Sequence, residues 1–208
     1  MKPCLAGYSE EPMKPHKLVL VVLCVIMLCG CAAVGEYVDI VRPVALSKDY
    51  LNALDTWTRG KTVYSEFETR VKILATWKNR DFNDAYWSEY SKLYDLTTDE
   101  RQKRQNVSVS DMTEFLFYAY TPDRDANTFS ERGSIWKIYL VDERGNRHEP
   151  REVRQIDAVT PLIMKFYPYV KPAYGKAYIL KFAPDLMTGK ADEALVFTSV
   201  LARVELTW

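Results

Sequence analysis

Histidine, glycine and cysteine are scarce in this chain, and each shortage closes off a kind of chemistry. His16 and His148 are the two histidines in 208 residues, so once the first thirty residues are set aside only His148 remains. Two-histidine metal sites are then excluded, and a Ser-His-Asp or Cys-His pair would have to use that ring. The eight glycines stand far apart, which leaves no phosphate-cradling loop and no dinucleotide fingerprint. All four cysteines, Cys4, Cys24, Cys29 and Cys31, fall near the N-terminus, so the body of the chain has no disulfide to draw on. Neither sign of charge prevails, with 28 basic residues against 28 acidic ones. That balance removes the broad basic field that nucleic-acid binding needs. What is present is an ordinary foldable composition, 48% apolar, 13% aromatic and 27% charged, with no repeat and no low-complexity tract. Disorder, collagen and coiled coil are excluded on that ground.

The clearest signal lies near the start. Leu18 to Cys29 is an unbroken run of twelve apolar residues, preceded by Lys14, His16 and Lys17 and followed by Gly30, Cys31, Ala32 and Ala33. A run of that length suits the ~7 to 15 residue h-region of a signal peptide better than the ~20 residues of a bilayer span. Glu10 and Glu11 are out of place in an n-region that stays on the cytoplasmic side, and starting at Met13 gives the compact positive segment MKPHK. The expected organisation is a signal peptide over residues 1–30, with Met13 as an alternative start, then a tether over 31–46.

Leu28-Cys29-Gly30-Cys31 resembles the lipobox of bacterial lipoproteins, with Cys29 standing where Ala, Ser or Val is usual. The layout of the whole chain resembles bacterial envelope lipoproteins of unknown function. The resemblance implies lipidation (palmitate among the acyl chains) of Cys31, cleavage just before it, and attachment to a membrane through that anchor. Ala32 is not the Asp that marks inner-membrane retention in Gram-negative systems, which implies an outer-membrane protein facing the periplasm. Cleavage takes three basic residues (Lys2, Lys14, Lys17) from 28 and two acidic ones (Glu10, Glu11) from 28, leaving 25 against 26. A nearly neutral domain of this size can bury about 70% of its unfolded surface, so a chain from residue 36 onward is expected to fold with neither metal nor disulfide.

The body reads as α+β, with an N-terminal helical region of three to four helices over 47–105 and an antiparallel β-sandwich, immunoglobulin-like, over 106–208. Ser47 is placed to cap a helix carrying Tyr50, Leu51, Leu54 and Trp57, which Gly60 ends. Val63, Phe67, Val71 and Leu74 recur at i, i+4, i+8 and i+11 and predict a second helix. Phe82, Tyr86, Tyr90 and Leu93 repeat those offsets in a third, after a break near Lys78 to Asp81. Thr97 and Glu100 form a capping box for a short solvated helix through Gln105. Beyond Asn106 to Asp111, β-rich runs separated by prolines and turns predict strands at Thr113–Thr121, Ser134–Val141, Leu162–Tyr167, Lys176–Phe182 and Leu195–Leu206, with a hairpin turn at Arg144-Gly145-Asn146. Six or seven strands without helical crossovers are what suggests the sandwich.

Motifs for chemistry are few. His148 sits in a turn, Asn146 to Pro150, and reads as solvated. Asp123, Asp125 and Asn127 have the first three spacings of a calcium loop, but Thr128 and Ser134 replace its Gly and bidentate Glu, so they read as loop polarity. No metal, cofactor or catalytic residue is assigned. On the third helix Phe82, Tyr86, Tyr90 and Leu93 fall within an arc of about 80° and are expected to be mostly buried. Trp87 and Tyr94 lie on the margin of that stripe. They are expected to pack on a second element, or else to stand exposed as a stacking surface. The sequence points to a lipid-anchored envelope module that binds or assembles with an envelope protein partner rather than nucleic acid. The alternatives are a binder of peptidoglycan or another saccharide, and an enzyme with an unrecognised site.

Overall fold

The computed structural model describes residues 45–208 except 109, 110 and 191. The expected signal peptide, the Met13 start, Cys31 and nearly all of the 31–46 tether lie outside the described residues. Leu46–Trp208 forms a compact unit.

Its elements are α1 (Lys48–Trp57), β1 (Thr58–Ser65), β2 (Glu68–Trp77), α2 (Arg80–Tyr94), α3 (Thr98–Ser108), β3 (Thr113–Tyr120), β4 (Lys137–Val141), β5 (Arg147–His148), β6 (Glu152–Gln155), α4 (Pro161–Phe166), β7 (Lys176–Phe182), β8 (Ala194–Thr198) and β9 (Arg203–Thr207). The strands make two sheets, one in the order β1-β2-β3-β7-β6 and one in the order β5-β4-β8-β9, and every pairing is antiparallel. The fold is α+β with two antiparallel sheets.

Side-chain alternation along the strands decides how the layers meet. In β3 the sequence Phe115-Leu116-Phe117-Tyr118-Ala119 sends Phe115, Phe117 and Ala119 to one face and Leu116 and Tyr118 to the other. The first set joins Val71, Ile73 and Ala75 of β2 and Tyr178, Leu180 and Phe182 of β7. They share one buried cluster with Ile138 and Leu140 of β4, Leu195 and Phe197 of β8, and Val204 and Leu206 of β9. The two sheets thus enclose a common core. The second set, with Ala177 of β7, packs against Tyr50 and Leu54 of α1, Phe82 of α2 and Phe166 of α4. The five-stranded sheet is therefore apolar on both faces, with the second sheet on one and helices on the other. β3 and β7 accordingly read as nearly continuous apolar runs instead of alternating ones.

Local chemistry starts each helix. The Ser47 hydroxyl accepts from the Tyr50 amide, and the buried Glu89 carboxylate of α2 accepts from both the Ser47 amide, at 2.8 Å, and its hydroxyl. One carboxylate so fastens the entry of α1 to the middle of α2. Asn79 caps α2 by accepting from Phe82, and Asp95 ends it in the left-handed conformation at φ 50°. The Thr97–Glu100 capping box forms as the sequence predicts.

Three expectations need correction. The second helix, drawn through Val63, Phe67, Val71 and Leu74, is instead the β1–β2 hairpin. Those four positions fit a helical stripe, but Val71, Ile73, Ala75 and Trp77 also alternate at period two, and β-branched residues crowd this stretch. Packing between two sheets settles the competition. Val71 is fully buried, whereas Phe67 stands wholly exposed at the hairpin turn beside Glu66, whose φ is 57°. Gly60 does not end α1, which stops at Trp57; it lies in β1, where a Cβ would come 3.1 Å from Leu74 Cγ. Second, Leu162–Tyr167 is not a strand: Thr160 accepts from the Ile163 amide and Pro161 opens α4, a helix start that decides a short apolar run. Third, a boundary near residue 106 does not separate helices from sheet. α3 runs on to Ser108, and β2 pairs directly with β3 from Lys72↔Tyr120 to Trp77↔Phe115. Elsewhere in the β region Lys176–Phe182 is a strand as expected, and Leu195–Leu206 divides into β8 and β9.

Candidate functional site

The helices do not cover the whole outer face of the five-stranded sheet. A cleft of about 950 Å³ opens between α2, α3 and α4 with the sheet as its floor. Register builds the floor, since Leu116 of β3 pairs with Ile179 of β7 and Ile179 pairs with Arg154 of β6. Paired positions share a face, so two aliphatic side chains and a guanidinium stand in one row across three strands. Ile156 extends the apolar ground beyond β6, and Leu162 and Ile163 of α4 close one side.

The opposite wall is aromatic. Tyr86 and Trp87 are adjacent in one turn of α2 and Tyr90 lies on the next, at i+4 and i+3 from them, and all three rings line the groove. The Trp87 ring meets Tyr86 at 5.5 Å and Tyr90 at 5.2 Å edge-on, and Tyr86 lies 4.6 Å from Phe166. Burial, and then the neighbouring Tyr90 and Tyr94, push the Tyr86 phenol up to about 12, so it stays neutral at physiological pH. Burial also raises Tyr167, at the far end of the cleft, well above its ordinary value.

Charge is confined to the rim. Lys78, Lys103, Arg104 and Arg154 line it alongside a single carboxylate, Glu100. Glu100 is committed to the capping box, and hydrogen bonds from the Thr97 amide and hydroxyl hold its carboxyl below the usual range. Lys78 is paired with Glu114, and Arg154 with Glu152 at 3.1 Å. Lys103 and Arg104 have no ion-pair partner among the described residues, and Arg104 donates to the Tyr90 hydroxyl at 3.2 Å. The cleft is thus an aliphatic floor between aromatic and aliphatic walls, with four cations and one carboxylate at its edge. Such a surface is complementary in chemistry to a molecule with an apolar body and an anionic end.

The residues singled out in the sequence fall unevenly around it. Trp87 is half-buried in the aromatic wall. Tyr94 is 49% exposed and packs tilted against Tyr90 at 4.5 Å, outside the lining of the cleft. Phe82, Tyr86, Tyr90 and Leu93 are mostly buried, as the stripe predicts: Phe82 is fully buried and the other three pack against the same cluster. Tyr86 and Tyr90 owe their remaining exposure to the open cleft before them. Cys31 lies outside the described residues. Lys103, Arg104, Arg154, Ile163 and Ile179 escaped notice, because no spacing relates them in sequence. Lys103 and Arg104 belong to the polar stretch Asp99 to Gln105, whose lack of an apolar side gave no hint of a groove beside it.

The other motifs take structural parts. His148 Nε2 lies 2.8 Å from Asp142 Oδ2, and this bond, together with those from Asn146 and the Arg144 amide, holds Asp142 far below the usual carboxylate range. Asn127 is buried, donating to the Ala119 carbonyl and accepting from the Tyr178 hydroxyl, so it joins a loop to the sheet. Among the described residues no group of three His, Cys, Asp or Glu side chains is placed to hold a metal, and no helix is long and apolar enough to cross a membrane. Comparison with protein families, with curated proteins and with solved structures found no match to this chain.

Proposed function

We propose that this chain is a lipid-anchored protein of the bacterial cell envelope, a non-enzymatic binding or assembly module tethered at Cys31, with the cleft on its helical side as the binding site. The observation that carries the binding role is the cleft itself, whose aliphatic, aromatic and cationic lining is suited to holding a ligand. Its one carboxylate is occupied in capping a helix. The address rests on residues 14–33, with the h-region and the Leu28-Cys29-Gly30-Cys31 lipobox. On this reading Ala32 follows the lipidated cysteine and the domain faces the periplasm from the outer membrane, where an envelope protein is its expected partner. An immunoglobulin-like sandwich is the rigid scaffold, a reading supported by the two antiparallel sheets and their common core. The helices add a third layer that carries the site.

A saccharide, the alternative ligand, has one observation in its favour. Tyr90 and Tyr94 present neighbouring rings tilted by 34°, the second of them half-exposed, at the margin of the cleft. Against it stands the floor, where Leu116, Ile156, Leu162, Ile163 and Ile179 offer no side-chain partner to sugar hydroxyls.

Two or three acyl chains, each buried methylene contributing ~0.8 kcal/mol, hold a protein to a membrane without a protein span. Cys31→Ser should therefore accumulate as an uncleaved precursor when membrane fractions are blotted. Normal cleavage and membrane partition of this variant would rule out anchoring at Cys31.

A further inference from the structure

The geometry points to an anionic single-chain lipid as the occupant of the cleft, an inference that rests on the binding-module reading above. The acyl chain lies along the Leu116–Ile179 row, between Tyr86 and Trp87 on one side and Leu162 and Ile163 on the other. Its head group sits at Lys103 and Arg104, with Arg154 at the end of the same cross-strand row.

Three observations choose this chemistry over others. First, the floor is aliphatic, and the backbone beneath Leu116 and Ile179 is already spent: β3 is paired with β2 and β7, and β7 with β3 and β6, while β6 itself ends the sheet. A peptide laid over β3 and β7 would bury its own amides against strands with no free partners, and sugar hydroxyls would fare no better there. A hydrocarbon chain has nothing to leave unsatisfied. Second, the rim cations are not balanced locally. Lys78 is paired with Glu114, and Arg154 shares Glu152 with Lys181, whereas Lys103 and Arg104 have no carboxylate at salt-bridge distance among the described residues. Glu100, the one carboxylate of the lining, feels the Arg104 charge but is held in its capping box. Two adjacent cations at the mouth of an apolar groove complement a carboxylate or phosphate attached to a chain. Third, the Tyr90 hydroxyl accepts from Arg104, which orients the guanidinium over the aromatic wall before any ligand arrives. Less side-chain freedom is then lost on binding.

The chain from residue 36 to Trp208 contains the whole compact unit and omits the apolar leader, so it is the form to test. Titration by calorimetry, below the micelle concentration, should show lysophosphatidylglycerol binding one to one. Lysophosphatidylcholine, with a zwitterionic head, should bind at least tenfold more weakly, and glycerol 3-phosphate should not bind detectably. Affinity for the anionic lipid should rise about fourfold for each methylene added to the chain until the groove is filled. The double substitution Lys103→Glu, Arg104→Glu lies on an exposed helix face and should abolish the preference for the anionic head without lowering the melting temperature. Leu162→Glu should weaken both lipids alike. Equal affinity for the two lipids, no dependence on chain length, or binding that survives both sets of substitutions would overturn the lipid assignment. Saturable binding of a muropeptide or a peptide with no response to either lipid would also remove the lipid, while leaving the binding-module reading in place.

Discussion

Phe117→Ala should lower the stability of the residue 36–208 chain by about 4 kcal/mol, within the range found for fully buried phenylalanines. For a domain of this size that moves the melting temperature down by roughly 10 °C. Phe117 is fully buried at the centre of the five-stranded sheet and touches three rings. It stacks on Tyr178 at 4.8 Å, meets Phe129 edge-on at 5.5 Å and reaches Phe197 of the other sheet at 5.1 Å. Removing the ring opens a void between layers that are fixed by their own strand ladders and cannot close on it. The parent chain should melt in one cooperative transition that neither chelator nor reductant moves, because its core is aromatic and aliphatic and its cysteines lie upstream. A loss below 1 kcal/mol on substitution, measured by urea unfolding, would mean that the two sheets are not joined through this residue.

The second large effect belongs to a buried carboxylate. Glu193 is 1% exposed, and its two oxygens accept from the Thr188 amide and hydroxyl, the Gly189 amide at 2.8 Å and the Lys190 amide at 3.3 Å. One side chain thereby organises the loop leading into β8, in which Gly189 adopts φ 82°. Glu193→Ala leaves these donors without their acceptor in a poorly hydrated place, and should cost about 3 kcal/mol. Glu193→Gln keeps one oxygen and should lose less. If both variants unfold at the same urea concentration as the parent, water replaces the carboxylate at no cost and the loop does not depend on it.

Legibility in the sequence followed the range of the interactions. Ser47, Thr97 with Glu100, and the hairpin turn at Gly145 act within a few residues, and each is found where its local chemistry places it. Lys176–Phe182 is legible because a short apolar run containing Tyr178, Ile179 and Phe182 is bounded by prolines and a glycine. The stretch from Thr58 to Trp77 was not, since its apolar positions satisfy two periods and only the partner strands choose between them. α4 was misread for the opposite reason: a short apolar run looked like a strand although Thr160-Pro161 marks a helix start. Trp87 was noticed from its place at the edge of the α2 stripe, and it does line the cleft. The rest of the site was hidden. Arg154 joins Leu116 and Ile179 only through strand register, and Lys103 and Arg104 reach the same mouth only because α3 packs beside α2.

Binding at the cleft by a membrane-tethered domain is tested most directly with a photo-crosslinking amino acid placed in living cells at position 87 or 163, and at Lys137 as a control. Positions 87 and 163 line the groove, and Lys137 is exposed on the other sheet. After irradiation, mass spectrometry of the purified protein should show adducts at 87 and 163, reduced by Lys103→Glu with Arg104→Glu, and none above background at 137. Adducts at 137 with none at 87 or 163 would contradict the assignment of the cleft as the binding site.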